Sequence, residues 1–130
     1  MDGVDLRVRE PLSDDVLNVL FGAAWDGYRA RAFGPVLARS LTWVSAWRGE
    51  RLTGFVNVAT DGGLHAFLLD TTVHPDEQRR GLGRRLVLAA AEEATRAGVE
   101  WLHVDFEQHL TGFYRGCGFS PTAAGLLRLG

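Results

Sequence analysis

The chain has 130 residues, 46% hydrophobic and 23% charged, which suits one soluble globular domain spanning 1–130, with no second domain expected. A net charge of -2 makes any basic patch local and argues against a nucleic-acid partner. No apolar run is long enough to span a bilayer and MDGVDLRVRE lacks the order of a secretory leader, so no membrane partner and a cytoplasmic location are expected.

In chain order, Val4 to Arg9 alternates apolar and charged residues and predicts a first strand. Ser13 or Asp14 is placed to cap a helix to about Ala23, with Val16, Leu17, Leu20 and Phe21 on one face. The stretch WDGYRARAFGP, residues 25 to 35, reads as a loop, and a short second helix is expected over 36–41. TWVSAW and LTGFVNVAT flank a tight turn and predict a hairpin. LHAFLLDTTV, with its nearly continuous apolar start, predicts a strand covered on both faces. Leu86, Ala89, Ala90, Glu93, Ala94 and Ala97 trace a helix that Gly98 ends. VEWLHVDF predicts a further strand, HLTGFYRG a short helix, and Gly125 to Leu129 a weaker last strand. Cys117, the single cysteine, is expected to be a small buried residue and not a reactive thiol.

This order is mixed α/β (α+β), with a strand-helix-strand crossover over 64–106 that makes two strands parallel. Ligands sit at the carboxyl ends of such strands, and there the chain carries HPDEQRRGLGRRL, residues 74 to 86. Gly81 and Gly83 let a phosphate approach the exposed N–H groups of a helix start, and Arg79, Arg80, Arg84 and Arg85 add cations. A solvated basic helix face with ordinary turn glycines is the alternative. Leu86 stands where a dinucleotide fingerprint needs its third glycine, and no G-K-[ST] is present, so neither a Rossmann nor a Walker loop fits.

Gln78-Arg79-Arg80-Gly81-Leu82-Gly83 resembles the Q/R-x-x-G-x-G/A signature of the GNAT superfamily of acetyl-CoA-dependent acyltransferases, with Val73-His74-Pro75 before it at the family's spacing. Phe113-Tyr114-Arg115-Gly116-Cys117-Gly118-Phe119 resembles that family's F-Y-x-x-x-G-F segment. The resemblance covers nearly the whole chain. It implies a mostly antiparallel mixed sheet, with a central parallel pair splayed around the cofactor and helices on both faces. The implied activity is N-acetylation of a primary amine on a small molecule, peptide or protein, with acetyl-CoA as co-substrate and no metal.

Carried over, Thr72, Val73 and His74 lie against the pantetheine and acetyl group. Gln78, Arg79, Arg80, Gly81, Leu82, Gly83 and Arg84 surround the pyrophosphate. Tyr114 matches the tyrosine that protonates the departing thiolate. Phe67 stands where some members carry a glutamate base, which leaves Asp70 as the first candidate to orient or deprotonate the amine and His65, His103, Asp105, Glu107 and His109 as others. Glu107 replaces an asparagine that contacts pantetheine, so that contact is expected to shift to His109 or to backbone. Trp25, Asp26 and Tyr28 fall in the segment that walls the acceptor site, with Asp26 a candidate to hold an ammonium group. Eleven residues follow Phe119, so the acceptor side is expected to be open or completed by a second subunit in a homodimer. The departures also leave a rival function: a catalytically weak acyl-CoA-binding or regulatory module.

Overall fold

The computed structural model describes residues 3–130, so the first two residues of the N-terminal stretch and of the expected domain lie outside it. β1 (Asp5–Val8), β2 (Thr42–Arg48), β3 (Arg51–Thr60), β4 (His65–Val73) and β5 (Trp101–His103) form one sheet in that order. Neighbours from β1 to β4 run antiparallel, and β4 pairs parallel with β5, the mixed sheet expected of the sequence.

Alternation along the hairpin divides the core in two. Val44, Ala46, Val56 and Val58 face α3 (Leu82–Arg96) and α4 (Thr111–Gly116). Trp47, Leu52 and Phe55 face α1 (Asp14–Ala24), with Phe33 just ahead of α2 (Gly34–Arg39) in the same cluster. The apolar stripe of α3 buries Leu82, Leu86, Val87, Ala90 and Ala94. At Gly54 a Cβ would stand 2.8 Å from the Leu86 Cδ1 atom and 3.3 Å from the Ala46 Cβ, so the absence of a side chain lets the helix lie close on β3. Ser13 caps α1 by accepting from the Val16 N–H, while the Asp14 carboxylate accepts from the Phe33 N–H and ties down the returning loop.

Two features of β4 build the site. Phe55 pairs with Thr72 but Asn57 pairs with Leu69, so Asp70 and Thr71 bulge opposite Val56, and Asp70 takes a left-handed φ of 59°. The parallel ladder with β5 ends at Phe67 and His103, while β4 runs on to Val73. The two strands therefore part, and a gap opens between them.

Three expectations are corrected. β5 is limited to Trp101–His103 because the chain beyond leaves the ladder with β4. The strand expected over Gly125 to Leu129 does not form: residues 121–130 are exposed, with Leu126, Leu127 and Leu129 at 83–91%. Apolar alternation makes a strand only where a neighbour takes its backbone hydrogen bonds, and β5 offers a three-residue edge. β4 is covered on one face at its start, where Ala66 and Leu68 are buried but Phe67 and Leu69 are more than a third exposed, since the α1 cluster packs on β2 and β3.

Candidate active site

The gap opens into a cleft of about 1380 Å³, lined by Leu68 to Val73, the loop from Glu77 to Arg84 except Arg80, Val104 to Glu107, Phe113 and Tyr114 of α4, and the C-terminal stretch at Thr122 and Ala124 to Leu126. Register sets which backbone groups face it. The His74 N–H donates to the Thr53 carbonyl at 2.8 Å and Thr72 lies opposite Phe55, so Val73, between them, turns its N–H and C=O away from β3 and toward the gap. The Val73 carbonyl accepts from the Gln78 side chain at 3.1 Å, which locks the turn out of β4.

That turn forms a cradle of N–H groups. Arg79 and Gly81 both take left-handed φ, at 64° and 79°, immediately before the first turn of α3, an arrangement that converges backbone amides on an anion. At Gly83 a Cβ would meet the Phe113 ring at 3.3 Å and Val73 Cγ2 at 3.7 Å, so a side chain there would fill the floor between β4 and α4. Arg79 and Arg84 line the cleft with Leu82, while Arg80 lies outside the lining, 3.5 Å from Glu77. Glu77 is buried at 4% exposure and accepts from Arg48 at 2.7 and 2.9 Å, a fork that holds its carboxyl below the usual glutamate range.

Tyr114 is 6% exposed, stacked on Phe106 at 4.7 Å and edge-on to Phe113 and Phe119. Burial raises its phenol pKa above the ordinary tyrosine value; the Thr71 hydroxyl opposes this and the Cys117 and Asp105 charges add to it. The phenol therefore stays protonated through neutral pH. Cys117 is half-buried, and burial raises its thiol too. Strand parity puts Thr71 on the Tyr114 side and Thr72 on the α1 side.

Thr72 lines the cleft but is buried; its hydroxyl accepts from the Trp25 indole N–H at 3.2 Å and donates to the Asp70 carbonyl at 2.9 Å, so its side chain braces the bulge. Several other expected site residues are elsewhere. His74 spends its N–H on β3 and its imidazole on Arg51 and Asp76, away from the cleft. Tyr28 packs on Phe21 and donates its hydroxyl to Asn18, and Asp26 is exposed outside the lining. Trp25 and His109 do line it, with His109 Nδ1 3.5 Å from Glu107. Asp70 is a lining residue at the bulge, 33% exposed, and pairs at 3.7 Å with Arg31. His65 and His103 form an imidazole pair at 2.7 Å on the open sheet face, beyond the lining. Thr71 and Glu77, which line the cleft, and Arg31, which pairs with Asp70 from outside the lining, were not singled out in sequence. Strand parity gave a signal for Thr71, whereas nothing local in sequence joins Arg31 to Asp70.

Among the described residues no group of three or more histidine, cysteine or acidic side chains is arranged to hold a metal, and no helix is long and apolar enough to cross a membrane. The model of the acetyltransferase (GNAT) family matches residues 15–119. GCN5-related N-acetyltransferase 1, chloroplastic, of Arabidopsis thaliana is 29% identical over 92% of this chain and 62% of its own length. Across the sequence relatives it matches, the chain spans 40–62% of their length. A GNAT family acetyltransferase from Streptococcus pneumoniae superposes with a TM-score of 0.83 at 22% identity, covering 98% of both chains. A Bacillus subtilis acetyltransferase solved in complex with CoA gives 0.73 at 24% identity, covering 92% of this chain and 78% of that one. Matched by the family model over most of its length, and folded around a strand gap that ends in an amide cradle, the chain belongs to the acetyltransferase (GNAT) family.

Proposed function

We propose that this chain transfers an acetyl group from acetyl-CoA to a primary amine by direct attack in a ternary complex. The observation that carries the reading is Val73, whose backbone turns into the gap between β4 and β5 and leads into the cradle at α3. The residues fit the co-substrate chemically. A cradle of amides beside Gly81, Leu82 and Gly83 suits a pyrophosphate, with Arg79 and Arg84 as counter-charges, and the strand gap suits an amide-bearing arm. The Bacillus subtilis neighbour was solved with CoA, which supports the same assignment here.

In the reaction Asp70 orients the ammonium and takes one proton from it, the freed nitrogen lone pair forms a bond to the thioester carbon, the C–S bond breaks with its electrons going to sulfur, and the thiolate takes the Tyr114 proton. The second proton shed by the nitrogen returns to the Tyr114 phenolate, and Asp70 gives its proton to solvent. The Val73 N–H stabilises the oxyanion, and alignment in one cleft supplies much of the acceleration. Thr71, on the Tyr114 side of the strand, helps fix the phenol.

Calorimetry with acetyl-CoA, followed by thiol release over a panel of amines, tests this reading. Binding together with amine-dependent thiol release is the expected result. Binding with no thiol from any acceptor would instead identify an acyl-CoA-binding module.

A further inference from the structure

Resting on the acetyltransfer reading, we infer that the acceptor is a free α-amino acid, held as a zwitterion with its ammonium group on Asp70 and its carboxylate on Arg31.

The two faces of β4 divide the work. Tyr114 and Thr71 lie on the α3 and α4 side, so the sulfur leaves toward that side and the attacking nitrogen arrives from the α1 side. On the α1 side the bulge presents Asp70, and the loop after α1 presents Arg31. Their heads are 3.7 Å apart, too far for a hydrogen bond, and both side chains are partly exposed, at 33% and 45%. The acid and the base therefore neutralise each other without spending hydrogen bonds on each other. A carboxylate and a guanidinium side by side in this state match the ammonium and carboxylate that an α-amino acid carries on one carbon.

Both receptors are held in place before any ligand arrives. The Arg31 guanidinium stacks on the Phe33 ring at 4.6 Å and near Phe21 at 5.6 Å, two rings of the buried core. Its backbone is clamped by Asn18, which accepts from the Arg31 N–H at 3.0 Å and donates to the Arg31 carbonyl at 2.9 Å. Asp70 is fixed by the chain from Trp25 through Thr72 to its own carbonyl. Such fixing lowers the ordering cost of binding, and a planar guanidinium is suited to a carboxylate. Trp25, joined to Asp70 through Thr72, is half-exposed with its N–H already used, and offers a ring to an apolar or aromatic side chain. Acetylation forms the amide C–N bond and removes the nitrogen's positive charge, so the product keeps its hold on Arg31 and loses the one on Asp70. Release of the product follows from that lost attraction.

The test uses the full chain, acetyl-CoA, and two matched sets of acceptors: L-phenylalanine and L-leucine, their amides, and the amines left when the carboxylate is removed. Spermidine and kanamycin serve as amines of other classes. The expected result is a kcat/KM for the amino acids about 10- to 100-fold above the amides and amines, the range for a hydrogen bond to a charged group. Arg31→Met should erase that preference, bringing kcat/KM for the amino acids down to the level of their amides, and Arg31→Lys should restore part of it. Thermal melting of both variants separates this loss from unfolding. Equal use of amino acid and amide by the unaltered chain would overturn the inference, as would a preference that survives Arg31→Met. Turnover of spermidine or kanamycin with no amino acid accepted overturns the zwitterion assignment alone. Acetyl-CoA binding with no thiol release from any of these amines overturns both it and the acetyltransfer reading.

Discussion

The two sides of β4 are built from different materials. On the proposed donor side the groups offered are backbone amides around Val73 and Gly81 and a phenol enclosed by Phe106, Phe113 and Phe119. On the proposed acceptor side they are partly exposed side chains, Trp25, Arg31 and Asp70, joined by single hydrogen bonds and one loose ion pair. A backbone site is insensitive to which side chains surround it, so it suits a co-substrate that does not vary. A side-chain site changes with each substitution, so it suits selection of the acceptor.

The largest effect is expected on the donor side. Tyr114→Phe keeps the aromatic stack and removes the hydroxyl with its proton and its bond to Thr71, so kcat should fall about 10²- to 10⁴-fold while the calorimetric affinity for acetyl-CoA changes little. Because burial raises the phenol pKa, the unaltered enzyme should keep this donor protonated through neutral pH and lose turnover only when the medium passes above the ordinary tyrosine range. An unchanged kcat in the variant would remove Tyr114 from the mechanism.

Glu77 tests whether the cradle rests on its buried ion pair. Its carboxyl is held below the usual range, chiefly by the Arg48 fork, so its contribution to stability is present above that range and is lost as pH falls through the folded value. Glu77→Gln should therefore lower Tm by several degrees at neutral pH, and the gap from the unaltered chain should close in melts taken below about pH 4. A gap that stays constant with pH would mean that the carboxylate charge carries none of it.

Gly81 tests the cradle's geometry. At a φ of 79°, alanine meets the left-handed penalty of about 1–2 kcal/mol, so Gly81→Ala should weaken acetyl-CoA about 5- to 30-fold by calorimetry with little change in the KM of the amine. Equal loss on both sides of β4 would blur the division between them.

The donor side was also the more legible in sequence. Gly81 and Gly83 sit at fixed offsets in one continuous stretch, and a conformational need that only glycine meets cheaply leaves a local mark. The place of Tyr114 in the cleft was legible for the same reason, within a seven-residue segment. The acceptor side joins residues that lie 39 positions apart, Arg31 and Asp70, through a bulge that no local pattern announces. Adjacent strand residues point to opposite faces, so of three consecutive residues Thr72 and Val73 line the cleft while the His74 imidazole turns to Arg51 and Asp76. The last strand failed for a non-local reason as well: GLLRL has strand character but no partner edge of sufficient length.

The smallest effect, at Trp25, separates bracing from binding. Its indole N–H donates to Thr72, which in turn holds the Asp70 carbonyl in the left-handed bulge. Trp25→Phe keeps a ring on the acceptor wall and deletes one hydrogen bond, a loss of about 0.5–1.5 kcal/mol. If the chain positions Asp70, the cost should appear as a roughly 2- to 10-fold fall in kcat/KM for the amine, with acetyl-CoA affinity unchanged. Thr72→Val breaks the same chain one link later, so the two substitutions combined should cost little more than either alone. Additive losses would show that Trp25 acts through its ring against the acceptor and not through the bulge.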